Sequence, residues 1–177
     1  MKLLQHIEKY PLVSLSVFTL TLLLIHLDIP NVTIMEARNF ITAREMIEDG
    51  NWLMTTMNGE PRYEKPPLPT WLTAVSGLLF GVNSLYFMRL PAVLMVLFLS
   101  WIVYFFGKAT GLTKIQSFRT SLILVSSFYI IGITNEAPWD IFTHSFMVLG
   151  LYYLYRFLQH ERKPLIYGFW SALFIGL

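Results

Sequence analysis

The chain has 177 residues, of which 55% are hydrophobic, 16% aromatic and 14% charged, with a formal net charge of +2. A mean hydropathy of +0.55 is too apolar for an ordinary soluble domain of this length and points to a multi-spanning membrane protein. The small net charge, without a basic run, argues against a nucleic-acid partner, and the absence of cysteine excludes disulfides, thiolate catalysis and thiolate metal sites.

Met1 to Lys9 is charged, precedes a long apolar run and has no small-residue cleavage site, so it reads as the flank of a retained first span at about 10–27. A polar island follows, from Asp28 to Lys65. Thr33-Ile34-Met35-Glu36 fits a capping box, with Glu36 reaching back from the third helical position. The helix it opens is predicted to run over 34–49 and to stop at Gly50. Phe40, Ala43 and Ile47 fall on its apolar face, and Arg38, Thr42, Glu45 and Asp49 on a polar one, as suits a membrane surface. Asn58-Gly59 is a turn signal. Two prolines force Arg62 to Lys65 into an extended path, with Arg62 and Glu64 on one side and Tyr63 and Lys65 on the other.

The uncharged run 66–88 is long enough to span, yet Pro66, Pro67 and Pro69 open it and Gly77, Gly81, Asn83 and Ser84 loosen its second half. Its reliably apolar part, Leu72 to Val82, covers only about 16 Å as a helix. It reads as an interfacial or re-entrant helix over about 67–81. Further spans are predicted at about 88–107, 118–135, 140–158 and 164–177, giving an all-α polytopic bundle that is one transmembrane domain over 1–177. Because the last apolar run has only 14 residues, the chain reads as the N-terminal part of a longer protein.

The distribution of charge orients the bundle. With 66–88 not crossing, Lys2, Lys9, Lys108, Lys114, Arg119, Arg156, Arg162 and Lys163 lie on the cytoplasmic side against Glu8 and Glu161. The outer side then holds five bases (Arg38, Arg44, Arg62, Lys65 and Arg89) against nine acids, among them Glu36, Glu64, Glu136 and Asp140. If 66–88 crossed, six of the eight inner bases would move outside. The N-terminus is therefore read as cytoplasmic and the loop 28–87 as extracytoplasmic.

Each charged piece has a bland explanation beside a functional one. Glu36 can be a capping residue, Arg62 to Lys65 a solvated salt-bridged loop, and Asp140, after Pro138, a partner for a helix dipole. His6, His26, His144 and His160 show no metal-ligand spacing, and His144 reads as a packing or hydrogen-bonding residue. The abundant aromatic residues read as lipid-facing or interfacial anchors.

An E-x-R opening an outer surface helix, then an NG turn and Y-E-K-P-P about 28 residues later, resembles the ArnT-like and protein O-mannosyltransferase group of membrane glycosyltransferases. The run Gly81 to Pro91, GVNSLYFMRLP, and an acid after the third span extend the likeness over most of the chain. The resemblance implies a GT-C fold with surface helices in a long outer first loop. It implies transfer of a sugar from a polyprenyl-phosphate donor to a lipid or protein acceptor at the outer face of a bacterial inner or plasma membrane. The group opens with Asp-Glu-x-Arg-Tyr, where this chain has Met35, Glu36, Ala37, Arg38 and Asn39, so the leading acid is a methionine. Its Tyr-x-Glu-Lys element is Arg62-Tyr63-Glu64-Lys65, which keeps Glu64 and Lys65 and replaces the first tyrosine by arginine.

Carried over, the likeness makes Glu36 and Asp140 the candidate catalytic carboxylates, with Glu136 an alternative to Asp140. Arg38, Asn39, Tyr63, Glu64 and Lys65 become candidate substrate-binding residues. Lys65 and Arg38 would hold the phosphate, while Glu64 would position one of them or help to hold a divalent metal ion. An apolar groove beside the 66–88 helix would take the isoprenoid tail. Two other classes compete: a non-catalytic scaffold of the same fold, for which Met35 speaks, and a transporter or flippase, which would carry charges within its spans.

Overall fold

The computed structural model describes residues 2–25, 27–136, 138–159 and 164–176. The described part is all-α apart from one short hairpin. In chain order it comprises α1 Lys2–Lys9, α2 Pro11–Leu24, α3 Ile34–Asp49, β1 Thr56–Met57, β2 Glu60–Pro61, α4 Leu68–Phe80, α5 Leu85–Ala109, α6 Lys114–Val125, α7 Phe128–Glu136, α8 Pro138–Leu158 and α9 Pro164–Gly176. His26 and His160, named above, lie outside the described residues, as do parts of the segment before α9.

The axis of the bundle is α5, which packs against α2, α4, α6, α7 and α8. Its 25 residues extend about 37 Å. Among the described residues α5 is the one helix long and apolar enough to cross a membrane by itself; Pro11–Leu24, Leu68–Phe80 and Pro164–Ile175 are shorter apolar helices. Ala92, Val93, Val96 and Leu99 of α5 meet Leu23, Leu27, Val125, Ile130, Ile141 and Phe142 in the main core. A second core, Phe40, Ala43, Met46, Ala74 and Met88, fastens α3 and α4 to the start of α5. A third, around Leu15, Tyr104 and Phe118, joins α2, α5 and α6.

The segment expected as one span over 118–135 is interrupted at Ser126–Ser127. Ser126 donates its hydroxyl to the Leu122 carbonyl at 2.8 Å, and the Ser127 hydroxyl accepts from the Ile130 amide at 3.4 Å, so one serine closes α6 and the next opens α7. Side-chain bonds to nearby backbone compete in this way with a continuous helical ladder. Pro91 inside α5 shows the opposite case. Its missing N–H would orphan the Phe87 carbonyl, and Ser76 from α4 donates to that carbonyl at 2.6 Å. The proline thus ties α4 to α5 instead of breaking α5. At the other end of the chain α9 leans closely on α8 at Gly150, where a Cβ would stand 2.7 Å from Ile175 Cγ1.

Thr33 caps α3, its hydroxyl accepting from the Glu36 amide at 3.3 Å, and Gly50 ends the helix in the left-handed region at φ 73°. Asn58 and Gly59 both take positive φ, the requirement of a two-residue hairpin turn between β1 and β2. The Glu45 carboxylate holds that turn, accepting from Thr56 Oγ1 at 2.7 Å, Asn58 N at 2.5 Å and Gly59 N at 3.4 Å. Partial burial pushes the Glu45 carboxyl up, but the bonds from Thr56, Asn58 and Gly59 outweigh it and leave its pKa below the ordinary 4.5. A depressed folded-state pKa means the clamp contributes fully above the ordinary value and is lost as pH falls through the depressed one. Acidification is therefore expected to loosen the hairpin, with faster amide exchange at Asn58 and Gly59 than their intrinsic pH dependence gives. In Glu45→Gln that extra acid sensitivity should be absent.

Candidate functional site

The candidate residues separate into a buried scaffold and an exposed cleft. Glu36 belongs to the scaffold. It is fully buried, and both oxygens of its carboxylate turn to Arg89 rather than to solvent, Oε1 accepting from Nε at 2.6 Å and Oε2 from Nη2 at 2.7 Å. Arg89 is equally buried, and it donates further to the carbonyls of Leu27 at 2.7 Å and Pro30 at 2.9 Å. One guanidinium thereby fastens the loop after α2, the first turn of α3 and the start of α5. Every side of the pair is matched by hydrogen bonds, the condition under which two charges tolerate leaving water. The catalytic expectation for Glu36 gives way here to a structural one, because neither oxygen is open to a substrate.

Asn39 is also scaffold. It is buried, its amide donates to Thr73 Oγ1 at 3.2 Å, and its carbonyl oxygen accepts from Thr70 Oγ1 at 2.8 Å. It ties α3 to α4 and lies outside the cleft lining. Arg89 was visible in the sequence only as an outer basic residue. The signal that it is more than that is its place in an otherwise uncharged apolar run, where a cation needs a partner.

The cleft, of about 120 Å³, lies between the segment after the hairpin, the start of α4 and the first turns of α8. Lys65, Pro66, Leu68 and Pro69 form one wall; Trp139, Asp140, Phe142, Thr143 and Phe146 form the other. Lys65 and Asp140, seventy-five positions apart in the chain, are both exposed and line the same space. Pro138 opens α8, which sets Asp140 in its first turn, where the helix dipole favours a carboxylate. The side chain of Glu136, the alternative acid, lies outside the described residues.

Behind the cleft stands Arg62, only 8% exposed. Its Nη1 donates to the Arg38 carbonyl and to Thr42 Oγ1, each at 2.7 Å, and its guanidinium lies 4.6 Å from the centre of the Trp139 ring. Burial lowers the Arg62 pKa, with Glu64 acting against the shift and Arg38 with it, yet an arginine stays charged. Arg38 and Glu64 are thus within electrostatic reach of Arg62, and both are exposed. Tyr63 is 66% exposed. The expected alternation of Arg62 to Lys65 stops at Tyr63, because the chain bends at Glu64 and Lys65 on its way into α4. Arg62 is buried while Glu64 is exposed.

Among the described residues no three His, Asp or Glu side chains gather as a metal-ligand set. His144 stacks edge-on against Tyr129 at 5.9 Å, and its buried Nδ1 has no protein partner among the described residues. A second concavity, of about 240 Å³, runs between α4 and α5 and is lined by Leu72, Val75, Leu79, Leu90, Pro91 and Leu94 among others, nearly all apolar.

Comparison with known proteins adds to this geometry. Residues 64–177 match the model of the family described as "Dolichyl-phosphate-mannose-protein mannosyltransferase". An uncharacterized protein of Aquifex aeolicus (strain VF5) is 30% identical over 132 residues, covering 75% of this chain and 26% of that protein. The undecaprenyl phosphate-alpha-4-amino-4-deoxy-L-arabinose arabinosyl transferase 2 of Proteus mirabilis is 28% identical over 59% of this chain and 19% of its own length. The corresponding transferase of Shewanella sediminis is 43% identical over 49 residues, 28% of this chain and 9% of its own. The chain thus spans about a quarter, or less, of the curated relatives it matches. No solved structure matches it.

Proposed function

The chain belongs to the dolichyl-phosphate-mannose-protein mannosyltransferase family, and from that premise we propose that it carries the donor-handling part of a membrane glycosyltransferase. The complete protein moves a sugar from a polyprenyl-phosphate donor to a lipid or protein acceptor at the extracytoplasmic face. One observation carries this reading: Lys65 and Asp140, remote in sequence, line one cleft backed by Arg62 and Trp139. Cation, carboxylate and enclosure are the three things such a transfer needs.

In the proposed step Asp140 accepts the proton of the acceptor's nucleophile as that atom attacks the anomeric carbon. The bond from the anomeric carbon to the phosphate oxygen breaks, and the electron pair leaves with the phosphate. Lys65, with Arg38 nearby, stabilises that departing charge, and attack opposite the leaving group inverts the configuration. Tyr63 and Glu64, the two residues before Lys65, meet the head group, and Glu64 also acts by its charge on Arg62. The apolar groove between α4 and α5 receives the isoprenoid tail.

A polytopic membrane arrangement, with the N-terminus cytoplasmic, suits the same reading. Arg89 and Lys108 stand nineteen residues apart on α5, about 28 Å, close to the thickness of a bilayer's hydrocarbon. α4, with Leu72, Val75, Leu78, Leu79 and Phe80 exposed, would rest at the membrane surface.

The test is turnover of a radiolabelled polyprenyl-phosphate sugar by the complete protein. Lys65→Ala should raise the KM for donor and lower kcat, because a phosphate-facing cation acts on both the bound donor and the leaving group. Unchanged kinetics would remove the reading. One observation favours a second reading, a non-catalytic scaffold of the same fold: position 35 is methionine and the neighbouring Glu36 is consumed by Arg89. Donor binding without turnover by the wild-type protein would select it.

A further inference from the structure

We infer that Arg62 is a positioning residue for sugar transfer: it braces the segment carrying Lys65 against the helix turn carrying Asp140 and so fixes their spacing. This rests on the functional reading above. Arg62 is held from three directions. Its backbone is tied to the chain before the hairpin, the Arg62 amide donating to the Thr55 carbonyl at 2.8 Å and the Arg62 carbonyl accepting from the Thr55 hydroxyl. Its Nη1 reaches α3, at the Arg38 carbonyl and Thr42 Oγ1. Its guanidinium lies 4.6 Å from the centre of the ring of Trp139, in the first turn of α8. Lys65 follows Arg62 by three positions, at most about 11 Å of chain, and Asp140 is the residue after Trp139. The brace therefore acts one short step from each of the two charged groups that line the cleft.

The surroundings of Arg62 fit a brace better than a ligand contact or simple packing. It is buried and does not line the cleft, so it acts through its neighbours and not by touching the donor. Among the described residues no carboxylate stands within ion-pair distance of it; neutral oxygens and a ring face meet the charge instead. Such a cation gives up hydration without gaining an ion pair, a cost that an apolar side chain packed on Trp139 would avoid. What the guanidinium adds is direction. It rests on the aromatic ring while its nitrogen stays bonded to α3, which restrains both the distance and the angle between α8 and the Lys65 segment. A misplacement of about 1 Å between reacting groups can cost roughly a hundredfold in rate.

The test is turnover per donor site in the complete protein in lipid nanodiscs. Sites are counted by titration with a polyprenyl monophosphate, and turnover is read from a radiolabelled polyprenyl-phosphate sugar. Arg62→Met keeps an apolar stem against Trp139 and removes the bonds to α3. It should leave the number of sites unchanged and the monophosphate Kd within about threefold, and lower kcat per site roughly tenfold to a hundredfold. Arg62→Lys, whose ammonium can still donate to the same oxygens, should recover part of that loss. In an Asp140→Asn background Arg62→Met should cost little more, because the group it positions no longer works. A fully additive loss overturns the assignment. So does a fall in the number of sites at unchanged kcat per site, the mark of a purely structural role. A weaker Kd at unchanged kcat per site, the mark of direct phosphate contact, overturns it too. Should Arg62→Met fail to fold, Thr42→Val replaces it in the same cycle: it takes one acceptor from Nη1 and should lower kcat per site about fivefold, again only while Asp140 is present. Normal turnover per site in Thr42→Val then overturns the assignment. Lys65→Ala separates this inference from its premise. If Lys65→Ala loses transfer while Arg62→Met turns over normally per site, the positioning assignment alone falls. If Lys65→Ala transfers normally, the functional reading falls and this inference with it.

Discussion

In the complete protein Asp140→Asn should lower kcat for sugar transfer by roughly a hundredfold to ten-thousandfold, the range a positioned general base contributes. The substitution keeps size and shape and removes the ability to hold a proton. Asp140 is exposed in the first turn of α8 and lines the cleft opposite Lys65. If its only duty were to complement the helix dipole, its loss would cost about 0.3–1 kcal/mol of stability and leave transfer intact. The two roles therefore predict opposite pairs of results. A base predicts lost turnover at nearly unchanged thermal stability; a dipole partner predicts normal turnover with a slightly lower midpoint. Donor affinity should change little in the first case, because the base acts in the transition state rather than on the bound phosphate.

How much of this was legible in the sequence depended on whether the signal was local. The Thr33 cap, the Gly50 stop and the Asn58-Gly59 turn are dictated by residues within a few positions, and each forms at the residue that its chemistry names. The family resemblance was legible too, since E-x-R, Y-E-K-P-P and the run to Pro91 are linear patterns. Pairings across the fold were not. Glu36 looked like half of a capping box because only its neighbours were in view; its partner lies fifty-three residues on. The resemblance made Asn39 a candidate substrate-binding residue, yet α4 brings Thr70 and Thr73 against it. A solvated salt-bridged loop was one of two explanations for Arg62 to Lys65, and the burial of Arg62 against Trp139 needed α8 to arrive from across the chain. The interruption at Ser126–Ser127 was local in cause but hidden from an argument made on hydropathy, since serine hydroxyls scarcely change the mean of an apolar run.

Replacing Arg89 by leucine is expected to be the most destabilising single change in the described part of the chain, at about 3–5 kcal/mol. Glu36 would remain buried with no cation, and the carbonyls of Leu27 and Pro30 would lose their donor. Glu36→Gln should cost less, because an amide still offers one acceptor to the guanidinium, although the charge of Arg89 then goes unmatched. Removing both members, as Glu36→Leu with Arg89→Leu, should recover part of the loss, since a desolvated pair is replaced by apolar contact at a position already packed among buried residues. Recovery will be incomplete, because the two loop carbonyls still lack a partner. Unfolding of the complete protein in mild detergent, followed by helix content, measures all three. The same series settles the role of Glu36. As a scaffold residue, Glu36→Gln loses activity only in proportion to the folded fraction, and activity returns when a stabilising lipid restores that fraction. A catalytic Glu36 would instead leave a fully folded protein with transfer abolished, and that result would return the carboxylate to the reaction.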